Sequence, residues 1–282
     1  MNDLNIEEKI EEITYTDPDA LTIYNIIKNT ILKLVKLKNK ATVILLSSVI
    51  LLALWGPKGY PDVIFPESWR LALFPNIAWR DQLASFITGF ILLVVIPCCI
   101  IKFWFKERLS DYGLGWSNNK IKLGLVALAV LFIVFIPFFY IGTSYAEMQA
   151  EYPMFGNTIA KGAWGEFVAY ELVYFLFFIT IEFIFRGYLL FGLYGIKDIK
   201  ALEGVKGIKG PLVFGLYAIL IQMLPYIAWH LPKPSVEYLG ALVWGIVVAA
   251  IALKTRSIWP IIIVHWMLNV FIDTVLWLRL PG

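Results

Sequence analysis

Long apolar runs alternate with short polar stretches along most of the chain, and the runs approach the ~20 residues that cross a hydrocarbon core. Seven can be drawn, at about 41–56, 84–105, 122–143, 163–194, 211–231, 238–253 and 258–278. The pattern predicts an all-α, multi-pass membrane bundle of about seven transmembrane helices. The first and sixth runs are short, and the fourth is long enough to tilt or to extend past the bilayer. The connection at 57–83 is rich in Pro, Trp and Arg, and its LALFPNIAW stretch is expected to lie along the interface. No repeat of 20–50 residues and no inverted copy is visible, which weighs against a secondary transporter.

Composition adds that lipid is the solvent for most of the chain, since 60% of residues are hydrophobic and 16% charged. Two regions follow: an N-terminal segment at 1–40, acidic and then basic, and a membrane domain at 41–282. Within 1–27, Asp3, Glu7, Glu8, Glu11, Glu12, Asp17 and Asp19 face only Lys9, and Leu4, Ile6, Ile10 and Ile13 form a weak stripe. A short solvated amphipathic helix is expected there. A basic stretch followed by an apolar core is missing from the start, so no cleavable signal is expected.

Basic residues set the orientation. With the amino terminus inside, Lys28, Lys33, Lys36, Lys38, Lys40, Lys102, Lys106, Arg108, Lys120, Lys122, Lys197, Lys200, Lys206, Lys209, Lys254 and Arg256 are cytoplasmic. Lys58, Arg70, Arg80, Lys161, Lys233 and Arg279 fall outside. Sixteen against six predicts a cell-membrane protein with a cytoplasmic amino terminus. A net charge of +3 gives no reason to expect a nucleic-acid partner. The adjacent Cys98 and Cys99 are expected to be lipid-facing or packing thiols, because a disulfide between neighbours is strained. Trp55, Trp116, Trp164 and Trp259, at span ends, are expected to anchor at the interface.

Against this apolar background a few polar residues stand out. The only two histidines, His230 and His265, both fall in spans, and a third span carries Glu182 and Arg186. Ionisable groups at membrane depth cost a few kcal/mol each and tend to face one another or a wet cavity. Residues four apart share a helix face, which joins His265 to Asn269, Glu182 to Arg186 and Tyr226 to His230. Asp273 continues the His265 strip, and Gly187 allows close approach of a neighbouring backbone. Pro225 is expected to kink its helix and Pro232 to end it. Glu171, about 16 Å along the axis from Glu182, is read as a separate polar group. Two imidazoles and a carboxylate are what a metal or an activated water needs. A structural Glu–Arg pair with packing histidines is the plainer alternative.

Three segments, IEFIFRG at 181–187, YIAWH at 226–230 and HWMLN at 265–269, resemble the three signature motifs of the CPBP family of intramembrane proteases. That family comprises the type II CAAX prenyl endopeptidases and bacterial relatives linked to bacteriocin processing and immunity. RLSDYGLGW at 108–116 and KTRSIWPIIIVH before the third motif extend the likeness, which covers about residues 80–275. The resemblance implies a water held by the first-motif glutamate and the second-motif histidine, His230. It implies an oxyanion site at His265 and Asn269, and a supporting Arg186. It also implies a lipid-embedded site acting on a membrane-associated peptide or prenylated tail. Family members are described both as metalloenzymes and as glutamic proteases. A divalent metal such as zinc, held by His230, His265 and Glu182, is therefore one expectation.

One departure bears on activity. The first motif should begin with two glutamates, and Ile181 stands in place of the first. On a regular helix Glu182 lies about 40° from Arg186, and position 181 about 140° away. The remaining carboxylate is then better placed to brace the helix than to serve as base. Tyr226 also replaces the family's phenylalanine. Glu182 taking over as base through a rotation or bulge, with His230 as its partner, is one reading. Asp273 reaching the histidines is another. A catalytically silent relative, serving as a binding or immunity-type partner, is the third.

Overall fold

The computed structural model describes residues 22, 24, 40–56, 59–115, 120–195 and 214–280. The amphipathic segment expected at 1–27, the basic residues at 28–38, the lysines at 197–209 and Trp116 lie outside the described residues. Two compact units divide the chain, Met1–Val43 and Ile44–Gly282. In the first, only Thr22, Tyr24 and the start of a helix at Lys40 are described.

All regular structure among the described residues is helical. We number the helices α1 (Lys40–Trp55), α2 (Glu67–Leu73), α3 (Arg80–Phe105), α4 (Ile121–Gly142) and α5 (Ala146–Glu151). They continue with α6 (Trp164–Tyr194), α7 (Tyr217–His230), α8 (Ser235–Thr255) and α9 (Trp259–Arg279). Five of these, α3, α4, α6, α8 and α9, are long and apolar enough to cross a bilayer. The protein is a multi-pass all-α membrane bundle. The other two helices at predicted spans, α1 and α7, have 16 and 14 residues, so their length alone does not require a full crossing.

Burial orders the helices. Only 11% of the most apolar window of α4 is covered by protein, against 56% for α6. Helix α4 therefore turns most of its surface outward, whereas α6 is central. Helix α9 packs along α4 and α6, and α7 packs along α8 and the C-terminal half of α6. The three motif-bearing helices thus meet around α6.

From Phe183 to Phe191, α6 winds as a π-helix, and every residue of that stretch is buried. Such segments widen the helix and re-aim side chains, frequently at functional sites. The bulge that would rotate Glu182 relative to an ideal helix thus begins at the next residue. Gly187 lies inside it. A Cβ there would stand 2.5 Å from the Phe183 ring and 3.1 Å from the carbonyl oxygen of Tyr112. Because a backbone atom cannot yield as a side-chain tip can, Gly187→Ala is expected to destabilise by about 1–3 kcal/mol, read as a lower unfolding temperature in detergent.

Several local expectations change. Trp55 is fully buried rather than interfacial: its ring stacks on Trp229 at 4.9 Å and its Nε1–H donates to the Ser85 carbonyl at 3.2 Å. A residue at a span's end anchors in the interface only if no neighbour covers it, and here α7 does. Trp164 is exposed, and Trp259 donates to the Leu114 carbonyl. The 57–83 connection contains helix α2, and its Arg70 ties Asp62 and Asp81 together at 2.5 and 2.7 Å. Helix α7 runs through Pro225 and ends at His230, before Pro232. Both cysteines are free, Cys98 partly buried and Cys99 exposed.

Candidate active site

Four positions spaced at i, i+3, i+4 and i+7 along α6, namely Tyr174, Phe177, Phe178 and Ile181, form one wall of a cavity. Its volume is about 70 Å³, room for a few waters. Tyr226, Trp229 and His230 of α7 form a second wall, and Glu237, Gly240, Ala241 and Trp244 of α8 a third. His265, Leu268 and Asn269 of α9 close it, with Phe135 and Phe139 of α4 and with Tyr152 and Lys233 from loops. Both histidines therefore open onto the same space. Ile181 also faces it, placing a hydrocarbon side chain where the first-motif glutamate is expected.

Each ring is held by one nitrogen. Nδ1 of His265 lies 2.7 Å from Oε1 of Glu182. A carboxylate can only accept, so Nδ1 carries a proton and donates. Nδ1 of His230 lies 2.8 Å from the Tyr226 carbonyl in the last turns of α7, and the same logic makes it a donor. With both Nδ1 atoms engaged by protein, each Nε2 is the nitrogen left for a ligand in the cavity. Asn269 gives one amide N–H to the His265 carbonyl at 3.0 Å and keeps a second.

Glu182 sits behind His265 and does not line the cavity. It is fully buried, and Oε1 also accepts from Nε1 of Trp244 at 3.4 Å. Its Oε2 lies 3.3 Å from Nη1 of the equally buried Arg186. The Arg186 guanidinium lies 4.0 Å from the centroid of the Tyr226 ring, a cation–π contact that explains how an arginine and a tyrosine coexist at this depth. Sequence reasoning paired Glu182 with His230 as the base and its partner. The structure pairs it with His265 instead, because α9 rather than α7 packs against that turn of α6.

Asp273 does not reach the histidines. Eight residues past His265, it is about 12 Å along the axis. Its Oδ1 accepts the Met154 N–H at 3.2 Å, and its carboxyl faces Glu171. The two acids form a buried polar group of their own beside Tyr170.

The expected metal set is corrected too. Among the described residues no three of His, Cys, Asp and Glu stand together as a metal-binding group. The donor chemistry gives the reason. A cation bound at the free Nε2 of His265 would lie across the ring from Glu182, which holds Nδ1. Glu182 can orient such a ring but cannot share its ligand. The residues present do not fit the three-ligand set.

Sequence reasoning missed Trp244, Lys233 and Glu237. Trp244 lies in a uniform apolar run with no signal to mark it. Glu237 reads in sequence as the acidic residue common in a helix's first turn. Lys233 pairs with Glu151, and its ammonium lies 3.6 Å from Sδ of Met154. Burial, reinforced by the Glu237 carboxylate, pushes the Tyr152 hydroxyl well above the usual phenol range, so it remains a donor.

A membrane-embedded helical bundle with His230, His265 and Asn269 around one cavity is the architecture the three motifs implied. Residues 163–271 match the family model for Rce1-like type II CAAX prenyl endopeptidases, a stretch holding all three motifs. Over that region the chain is similar to the type II CAAX prenyl endopeptidases, the group its three motifs resemble. No curated protein and no solved structure matches it.

Proposed function

We propose that the protein is an intramembrane endopeptidase that hydrolyses a membrane-associated peptide or the tail of a lipid-anchored protein. The observation that carries this reading is the shared cavity, onto which both imidazoles open with their Nδ1 atoms already engaged. His230 orients a water through Nε2. His265, held by Glu182 as a triad's acid holds its histidine, takes a proton from that water at Nε2. The hydroxide oxygen then bonds to the scissile carbonyl carbon. The second amide N–H of Asn269 donates to the oxygen that gains the charge. His265 returns the proton to the leaving nitrogen as the C–N bond breaks. Glu182 is thus a positioning residue, and the missing first-motif carboxylate is replaced by a Glu182–His265 pair. Lys and Arg asymmetry along the chain supports placement in the cell membrane with a cytoplasmic amino terminus.

The competing reading is a silent relative that binds a membrane partner, and Ile181 favours it. Purified protein in liposomes, incubated with a library of membrane-anchored peptides and analysed for new termini by mass spectrometry, separates the two. The proposal expects new termini, with Asn269→Ala lowering the rate by about 10²–10³-fold. A silent relative gives none with the wild-type chain. Ile181→Glu adds a carboxylate inside the cavity and is expected to raise hydrolysis about 10-fold or more. An unchanged rate in that variant would show that the pocket no longer admits the family's own arrangement.

A further inference from the structure

The cavity also contains a charge that the catalytic scheme does not use. Glu237, in the first turn of α8, is the carboxylate among its lining residues. The Tyr152 hydroxyl hydrogen-bonds to its carboxyl, but Oε1 is sealed from solvent and has no hydrogen-bond partner among the described residues. The neighbouring cation, Lys233, makes its ion pair with Glu151 and reaches Glu237 only through its charge. One turn along α8, Gly240 and Ala241 face the same space and fill little of it. The surrounding wall is aromatic, from Tyr152 and Phe139 to Trp244.

A carboxylate oxygen sealed among aromatic rings without a donor is an incomplete arrangement. Leaving a buried acceptor unsatisfied costs about 1–3 kcal/mol. A cation supplies what is missing, because aromatic faces attract positive charge and the carboxylate neutralises it. With Lys233 paired to Glu151, Glu237 is the carboxylate among the lining residues left to meet an incoming cation.

Building on the protease reading, we propose that this site selects peptides carrying a lysine or arginine side chain beside the cleaved bond, with Glu237 as the counter-charge. The ammonium or guanidinium group would enter the aromatic wall next to Glu237 while the adjacent amide reaches the two imidazoles. Recognition of this kind acts on binding of the substrate, so it sets which bond is cut rather than how the water is activated.

The test uses the full chain in liposomes and a library of membrane-anchored peptides with a randomised window. The wild-type protein is expected to enrich lysine and arginine next to the new termini about tenfold or more over leucine. Glu237→Gln should lose that enrichment, chiefly through a higher KM for basic peptides. Glu237→Lys should reverse it in favour of aspartate and glutamate, a gain that misfolding cannot imitate. Cleavage by the wild-type chain without basic enrichment overturns this inference and leaves the protease reading standing. So does enrichment that survives in Glu237→Gln. Absence of any cleavage by the wild-type chain overturns the protease reading and this one with it.

Discussion

Glu182→Ala is expected to destabilise the protein by about 3–5 kcal/mol and to remove most of its hydrolytic activity. The carboxylate and the Arg186 guanidinium are both fully buried, 3.3 Å apart, in the most protein-covered part of the bundle. Removing one partner strands the other. The stranded cation is then left against the rings of Tyr226 and Phe185, with no other carboxylate paired to it among the described residues. The same substitution frees Nδ1 of His265, and the ring loses its fixed orientation. Two further variants separate these effects. Replacing both members with apolar residues of similar size, as in Glu182→Leu with Arg186→Met, should recover much of the stability, because neither charge then needs burial. It should not recover activity. Denaturation in detergent micelles reads the first, and peptide cleavage in liposomes the second. A double variant that is both stable and active would remove the Glu182–His265 pair from the mechanism.

His230→Ala is expected to lower cleavage by about 10²–10⁴-fold, the range of a general acid–base or water-orienting group. Stability should change far less. The ring's Nδ1 bond goes to a carbonyl of its own helix, and no ion pair depends on it. The effect belongs in kcat, since the proposed scheme activates the water only after substrate binds. Equal activity in the wild-type and variant proteins would take His230 out of the reaction. A loss explained by unfolding would appear as a lowered unfolding temperature, which Glu182→Ala should show and His230→Ala should not.

Much of this architecture was legible in the sequence. The apolar runs marked the helices, because in lipid the backbone must satisfy its hydrogen bonds internally and length is fixed by bilayer thickness. The i, i+4 pairs of the motifs also marked which side chains share a face. Sequence could not tell which neighbour each face meets. Glu182 was matched to His230 because both belong to motifs, whereas packing set α9 against that turn of α6. The π-helical segment from Phe183 has no marker in its residues, so azimuths drawn at 100° per residue carried Glu182 only as far as Arg186. Trp55 illustrates the same limit: an aromatic ring at a span's end looks interfacial until α7 covers it. Glu237 remained invisible as a cavity group because an acidic residue in a helix's first turn already has an ordinary explanation.

The central claim is that the two imidazoles give Nδ1–H to protein and turn Nε2 toward common water. A chain with only two histidines allows this to be read directly. Nitrogen-15 NMR of the liposome-embedded protein, selectively labelled at histidine, resolves both nitrogens of each ring and their contact with water. The account predicts protonated Nδ1 on both rings, with magnetisation passing from water to both Nε2 atoms and lost at one ring in each single histidine variant. A ring whose only proton is on Nε2, or a ring with no water contact, would contradict it.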